Sequence, residues 1–244
     1  VFIFILFGAI LESTGAGKMF IDLALRAFGK YKGGPAKAAV VASGMLGSIS
    51  GSSTANAVTT GTFTIPLMKK VGFKPHVAGG IEVAASSSGQ FLPPIMGAAA
   101  FLMIEYTNIP YAEIIKSAFI PAILCYVAIL LMVHFEASRN NIRGLRKDEL
   151  VSARKVMLQQ GYLIFPIGVL LYFLIGGATV PNAAFFSIVV ILVLAFFAHR
   201  FKERIGRSLI FAAILIGLAY SLGYVIDFVN QFLKRDIMWR NEIP

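Results

Sequence analysis

Charge is scarce in this sequence, and that scarcity is the first constraint on what it can be. Of 244 residues, 14% are charged and 57% hydrophobic, whereas a soluble domain carries about 25% charged residues. A water-soluble fold would lack the polar surface to cover such a core, so the excess apolar surface is expected to face lipid. Cysteine is reduced to Cys125, inside the apolar run 120–133. One cysteine excludes an intrachain disulfide and offers no metal-site spacing, which leaves it a packing role. Only three histidines occur, His76, His134 and His199, each beside a basic cluster. An intramembrane serine hydrolase needs a His at the depth of its Ser, so no catalytic set assembles. No enzyme, catalytic residue or cofactor is expected.

Acidic residues are the scarcer sign, 12 against 22 Lys and Arg. The surplus invites a nucleic-acid reading, but its placement argues otherwise. Sixteen of the basic residues fall in four short clusters: Lys30/Lys32/Lys37, Lys69/Lys70/Lys74, 139–155 and 200–207. Each punctuates an apolar segment, the pattern that the positive-inside rule produces when basic loops stay cytoplasmic. A nucleic-acid domain spreads its basic residues over one face of a soluble fold. The sequence opens Val1-Phe-Ile-Phe-Ile-Leu-Phe with no charged n-region, so it does not begin as a signal peptide. It reads as the second half of a membrane helix, and the whole as a piece of a longer chain.

The expected fold class is all-α: polytopic membrane helices with a re-entrant helical hairpin and a broken helix. Residues 1–35 end one membrane helix, turn at 12–18, and add a short helix over 19–28. That helix carries Asp22 and Arg26 among apolar residues and suits an interfacial or arm position. Residues 36–68 are long enough to span once, yet their centre, 47–56, is polar. Arms of roughly 10–12 residues at ~1.5 Å per residue reach about half of the ~30 Å hydrocarbon core. Basic clusters bracket both ends, so the segment is expected to enter and leave on the same side. The segment 76–106 repeats the design as a broken helix: a half-helix over 76–85, an interruption at 86–94 with Gly89, Pro93 and Pro94, and a second half-helix over 95–106. Interrupted backbone at membrane depth must be buried in protein or line a cavity. Residues 107–160 supply a full span over 111–135 and a basic connector. Residues 161–244 supply three further helices and a tail, the last span being 207–233.

Two polar breaks at comparable depth favour a binding site over simple small-residue helix packing. Uncharged oxygens and unwound carbonyls can replace an ion's hydration shell, and free helix N-termini suit carboxylates. Candidate Na⁺ ligands are Ser50, Gly51, Ser53, Asn56, Gly89 and Gln90. Candidate substrate residues are Ser52, Ser53, Thr54, Ser88 and Pro93. Glu82 is a membrane carboxylate and therefore a functional candidate, or it snorkels or pairs near the interface. Glu105 and Asp227 lie nearer predicted helix ends, where a structural role is expected. The run 13–18, Ser-Thr-Gly-Ala-Gly-Lys, lacks the first Gly and the final Ser/Thr of a phosphate-binding loop, and no strand precedes it.

The runs Gly33-Gly-Pro-Ala-Lys37, 47–56, Thr59-Thr-Gly-Thr-Phe-Thr-Ile-Pro-Leu-Met68 and Gly89-Gln-Phe-Leu-Pro-Pro-Ile-Met-Gly-Ala-Ala-Ala-Phe101 carry a family resemblance. It continues through Ile-Pro-Tyr at 109–111 and His134-Phe-Glu-Ala137. Residues 1–146 resemble the large membrane subunit of tripartite ATP-independent periplasmic (TRAP) transporters, and within it the fused form paired with TAXI-type binding proteins. The resemblance implies a Na⁺-driven importer of organic acids in a bacterial or archaeal cytoplasmic membrane, fed by an extracytoplasmic binding protein. It also implies a small membrane subunit, fused or separate, and two inverted repeats, of which 36–106 matches the first. No second Ser/Gly-rich hairpin occurs in 147–244. The alternatives are a Na⁺-coupled carboxylate symporter without a binding protein and, in a different class, a channel or structural membrane subunit.

Overall fold

The computed structural model describes residues 2–93, 96, 98–145, 152–175 and 180–200. Among them the regular structure is helical throughout: α1 (Phe2–Ser13), α2 (Ala16–Phe28), α3 (Gly34–Ser50), α4 (Ser53–Lys70), α5 (Pro75–Gly89), α6 (Ala98–Thr107), α7 (Tyr111–Arg139), α8 (Ala153–Gln160), a 3₁₀ turn (Gly161–Ile164), α9 (Phe165–Ile175) and α10 (Val180–Arg200). The chain divides into two compact units, Val1–Phe196 and Phe197–Pro244; of the second, only the end of α10 is described. The expected last span, 207–233 with Asp227, lies outside the described residues, as do Arg146 and the Glu105 side chain.

The turns are written in the sequence. Gly15, Gly33 and Gly51 all adopt positive φ, a conformation that only glycine enters without strain. Gly15 separates α1 from α2, Gly33 precedes α3, and Gly51 ends it. The next residue, Ser52, is extended and accepts the Ala55 N–H at 3.3 Å, capping α4. The chain therefore reverses in two residues. The contact of Ser43 with Thr60, 2.9 Å between hydroxyls, aligns α3 and α4 as an antiparallel pair.

The hairpin arms are longer than the sequence suggests, 17 and 18 residues in place of 10–12. At ~1.5 Å per residue each measures roughly 26 Å, close to the full hydrocarbon thickness. The polar centre does not unwind because its hydroxyls bond locally, Ser48 Oγ donating to Met45 O at 2.8 Å. Only residues 51 and 52 break the helix. The second interruption moves likewise: Ser86–Ser88 belong to α5, which runs to Gly89, and the irregular stretch begins at Gln90. α2 packs as an arm, burying Met19, Phe20, Ile21 and Ala24, with Ile21 and Ala24 clustered against Ala38 and Ala42 of α3.

α7 closes the core. Tyr126, Ile129, Val133 and Ala137 pack with Ala36, Ala39 and Val40 of α3, Met68 of α4, and Ala78 and Ala85 of α5. Its other face exposes Phe119, Ile120, Leu124, Met132 and Phe135. Among the described residues one helix, Glu113–Arg139, is long and apolar enough to cross a membrane, with mean hydropathy 2.4; 161–174 and 181–195 are apolar but shorter.

One end of this bundle gathers the basic clusters. Gly33 N donates to Ile142 O (3.3 Å) and Leu145 N to Gly29 O (2.8 Å), while Phe73 is buried with Val133, Ala137 and Ile142. Lys37 Nζ lies 3.0 Å from His134 Nδ1. The segments carrying Lys30/Lys32/Lys37, Lys69/Lys70/Lys74 and Arg139/Arg143 thus share an end.

Candidate functional site

The hairpin tip and the end of α5 meet at two glycines. A Cβ added to Gly47 would stand 2.8 Å from Gly89 Cα and 3.0 Å from Asn56 Nδ2, so any side chain there would hold the helices apart. This close approach brings Gly47, Asn56 and Gly89 into one neighbourhood; the Ser50–Gly51 corner lies about one turn further along α3, with Ser50 Cα 3.0 Å from where a Cβ on Gly8 of α1 would stand. Asn56 is fully buried, and its Nδ2 donates to Ser43 O at 2.8 Å. Four buried side-chain oxygens are left without a hydrogen-bond partner among the described residues, Glu12 Oε1, Ser50 Oγ, Asn56 Oδ1 and Gln160 Oε1, and two of them belong to the hairpin tip. Buried polar atoms are nearly always satisfied, so Ser50 and Asn56 mark polar positions that the described residues alone do not complete.

The other candidates are placed less uniformly. Gly51, Ser52 and Ser53 are half-buried and Thr54 is exposed; Ser52 is committed as the cap of α4. Gln90 and Pro93 are half-buried in the irregular stretch after α5. Ser88 is buried and its hydroxyl lies 3.3 Å from Cys125 Sγ on α7.

Sequence reasoning missed a second polar cluster, built around Glu82. This carboxyl is 1% exposed. Ser43 Oγ of α3 and Ser86 Oγ of α5 donate to Oε1 at 2.5 and 3.2 Å, and Thr60 Oγ1 of α4 donates to the same oxygen. Thr64 Oγ1 donates to Oε2 at 2.5 Å. Among the described residues no cation pairs with it. The carboxyl does not snorkel toward solvent; hydroxyls from three helices enclose it. The signal for this cluster is present in the sequence: Asn56, Thr60 and Thr64 recur every four residues, one polar face of a helix, and Glu82 and Ser86 repeat the spacing. Thr60 links the clusters, because its Oγ1 also lies 2.7 Å from Asn56 O.

Comparison with known proteins gives this geometry a context. The family described as the DctM component of tripartite ATP-independent periplasmic transporters matches residues 1–229. The C4-dicarboxylate TRAP transporter large permease protein of Vibrio cholerae is 28% identical over 207 residues, 82% of this chain and 43% of its own length. The 2,3-diketo-L-gulonate TRAP transporter large permease protein of Escherichia coli is 24% identical over 233 residues, 93% of this chain and 52% of its own. The chain spans about half the length of the curated relatives it matches. With nearly its whole length inside the family match, the chain belongs to the DctM component of tripartite ATP-independent periplasmic transporters, the large membrane permease of such a system.

Proposed function

We propose that this chain forms one half of the permease of a Na⁺-driven organic-acid importer in a bacterial or archaeal cytoplasmic membrane. Substrate arrives from an extracytoplasmic binding protein of the TAXI type, and a small membrane subunit, fused or separate, completes the assembly. The observation that carries the Na⁺ assignment is the pair of orphaned oxygens at the hairpin tip, Ser50 Oγ and Asn56 Oδ1, the second beside the Gly47–Gly89 approach. No Asp or Glu lies in 47–56 or 86–94. Neutral oxygens suit a hard monovalent ion that must be released each cycle better than a tightly held divalent one. Carbonyls of Gly51, Gly89 and Gln90 and the Ser53 hydroxyl complete the proposed set; Ser52, Ser53, Thr54, Ser88 and Pro93 remain the candidates for substrate. The organic-acid class is supported by relatives named for C4-dicarboxylates and for 2,3-diketo-L-gulonate.

The re-entrant reading of 36–68 draws support from the shared basic end of the bundle, since one cytoplasmic face then holds both flanks of the hairpin. On this reading, arms of 17 and 18 residues would carry the tip beyond the midplane unless their first turns stand in the headgroup layer.

Ser50→Ala is the cleanest test, because among the described residues that hydroxyl has no hydrogen bond to lose. In the complete transporter it raises the Na⁺ concentration for half-maximal uptake several-fold, about 1 kcal/mol of binding. Asn56→Ala does the same, and Ser138→Ala in the last turns of α7 leaves it unchanged. Unaltered Na⁺ dependence in both tip variants refutes the assignment.

A further inference from the structure

The hydroxyl cluster around Glu82 adjoins one proposed Na⁺ ligand, Asn56, through Thr60 and Ser43, but the carboxyl itself is not explained by a Na⁺ site. A buried carboxylate without a counter-charge is costly unless the surrounding groups can serve it in whichever state it holds. Here they can serve both. In the charged state Ser43, Thr60 and Ser86 donate to Oε1 and Thr64 to Oε2, so four hydroxyls spend their single protons on the carboxylate. In the neutral state two rotations suffice. Thr60 turns its proton to Asn56 O, 2.7 Å away, and accepts an O–H from Oε1, while Ser43 turns to donate to Thr60 Oγ1, 2.9 Å away, leaving Ser86 as the one donor to Oε1. Thr64 continues to donate to Oε2, now the carbonyl oxygen. Every member stays bonded in both arrangements.

A metal cation fits this cluster poorly. The hydroxyls bond directly to the carboxylate, leaving no gap between ligand oxygens, whereas an ion needs those oxygens turned toward itself. A proton needs no cavity. The other titratable groups on the adjoining helices are engaged elsewhere or stand at the ends. On α7, Tyr126 donates its hydroxyl to Ala85 O (2.7 Å) and Cys125 contacts Ser88. On α3, Lys37 meets His134 of α7; Lys69, Lys70, Lys74 and His76 are exposed at the ends of α4 and α5.

We propose that Glu82 is a proton-binding site, a carboxyl that takes up and gives back one proton within its enclosure of hydroxyls from α3, α4 and α5. Water delivers the proton: hydronium becomes water, an O–H bond forms at Oε1, and the Thr60 proton swings to Asn56 O. Release is the reverse. Because Thr60 and Asn56 are joined, the change is felt in the first turns of α4, beside the hairpin tip. A proton would then accompany, or exchange against, the substrate.

The test is infrared difference spectroscopy of the complete transporter in lipid, stepped from alkaline to acidic buffer. Choline replaces Na⁺ and no substrate is added, so the result does not depend on the Na⁺ assignment. The wild type should show a carboxylic-acid C=O band appearing on acidification, and Glu82→Gln should lack it. Thr64→Val keeps the carboxyl and removes the hydroxyl that donates to Oε2, so the titrating band should move to higher frequency. No titrating band in the wild type, a band that persists in Glu82→Gln, or a frequency unmoved by Thr64→Val overturns the proposal. If the Gln variant does not fold, the Thr64 variant decides alone.

Discussion

Replacing Gly47 by alanine tests the geometry of the site without touching any polar atom. The new Cβ would stand 2.8 Å from Gly89 Cα and 3.3 Å from Gly89 C, both backbone atoms of another helix. Ordinary contact begins at 3.4 Å, so α3 and α5 must part by about 0.6 Å (3.4 less 2.8) or tilt. Overpacking of this kind costs about 1–3 kcal/mol. Alanine in a helix interior returns ~0.8–1.0 kcal/mol relative to glycine, so the net loss is about 1 kcal/mol at the centre of the range. Gly79→Ala is the matched control: it lies inside α5, and its Cβ would meet nothing within 4 Å. That variant keeps the whole helix-propensity gain. The difference between the two therefore isolates the steric term, about 1–3 kcal/mol. Thermal unfolding of the complete transporter in one detergent, followed by fluorescence, measures it. A Gly47→Ala protein as stable as Gly79→Ala would refute the close approach of α3 and α5. A weakened response to Na⁺ in Gly47→Ala should accompany the stability loss, because Asn56 Nδ2 is the next atom in the way.

Cysteines introduced at Lys32 and Lys70, both exposed, should react with an impermeant thiol reagent from the same side of the membrane; labelling from opposite sides would make 36–68 a single crossing. Tyr126→Phe removes the 2.7 Å bond to Ala85 O while keeping the ring against Gly44. It should cost about 0.5–1.5 kcal/mol in the same thermal assay, and Tyr126→Ala, which empties the site, several times more.

The reversal between α3 and α4 and the end of α5 near Gly89 were legible because glycine, serine and proline interrupt runs that are otherwise apolar, and interruption is a local property. Their extents were less legible. A serine run reads as a break, yet Ser86 is held in α5 by its own i, i+4 bond to Glu82, and Ser48 by its bond to Met45 O. Such hydroxyls can bend a helix slightly, yet α3 and α5 continue through them. Asn56 and Gly89 could be singled out from their segments alone. Ser43, Thr60 and Thr64 could not, because what makes them notable is a carboxyl that lies 39, 22 and 18 residues further along the chain. The periodic face of α4 was visible as a pattern, but its partner was visible only in three dimensions.

The knot of main-chain bonds at the basic end sets an order of events during synthesis. Gly33 N–H waits for Ile142 O, and Gly29 O for Leu145 N–H, so the end closes only after more than a hundred further residues have been made. Until then α3, α4 and α5 stand without the side chains of α7 that cover Ala85, Met68 and Val40. Long-range closures of this kind are slow and leave apolar surface open meanwhile. The hydroxyls of Ser43, Thr60 and Thr64 need no such wait, since all their partners lie between residues 43 and 86. The buried carboxyl can therefore serve as the first fastening of the nascent bundle, holding the hairpin to its neighbouring helix while the outer helix is still on its way.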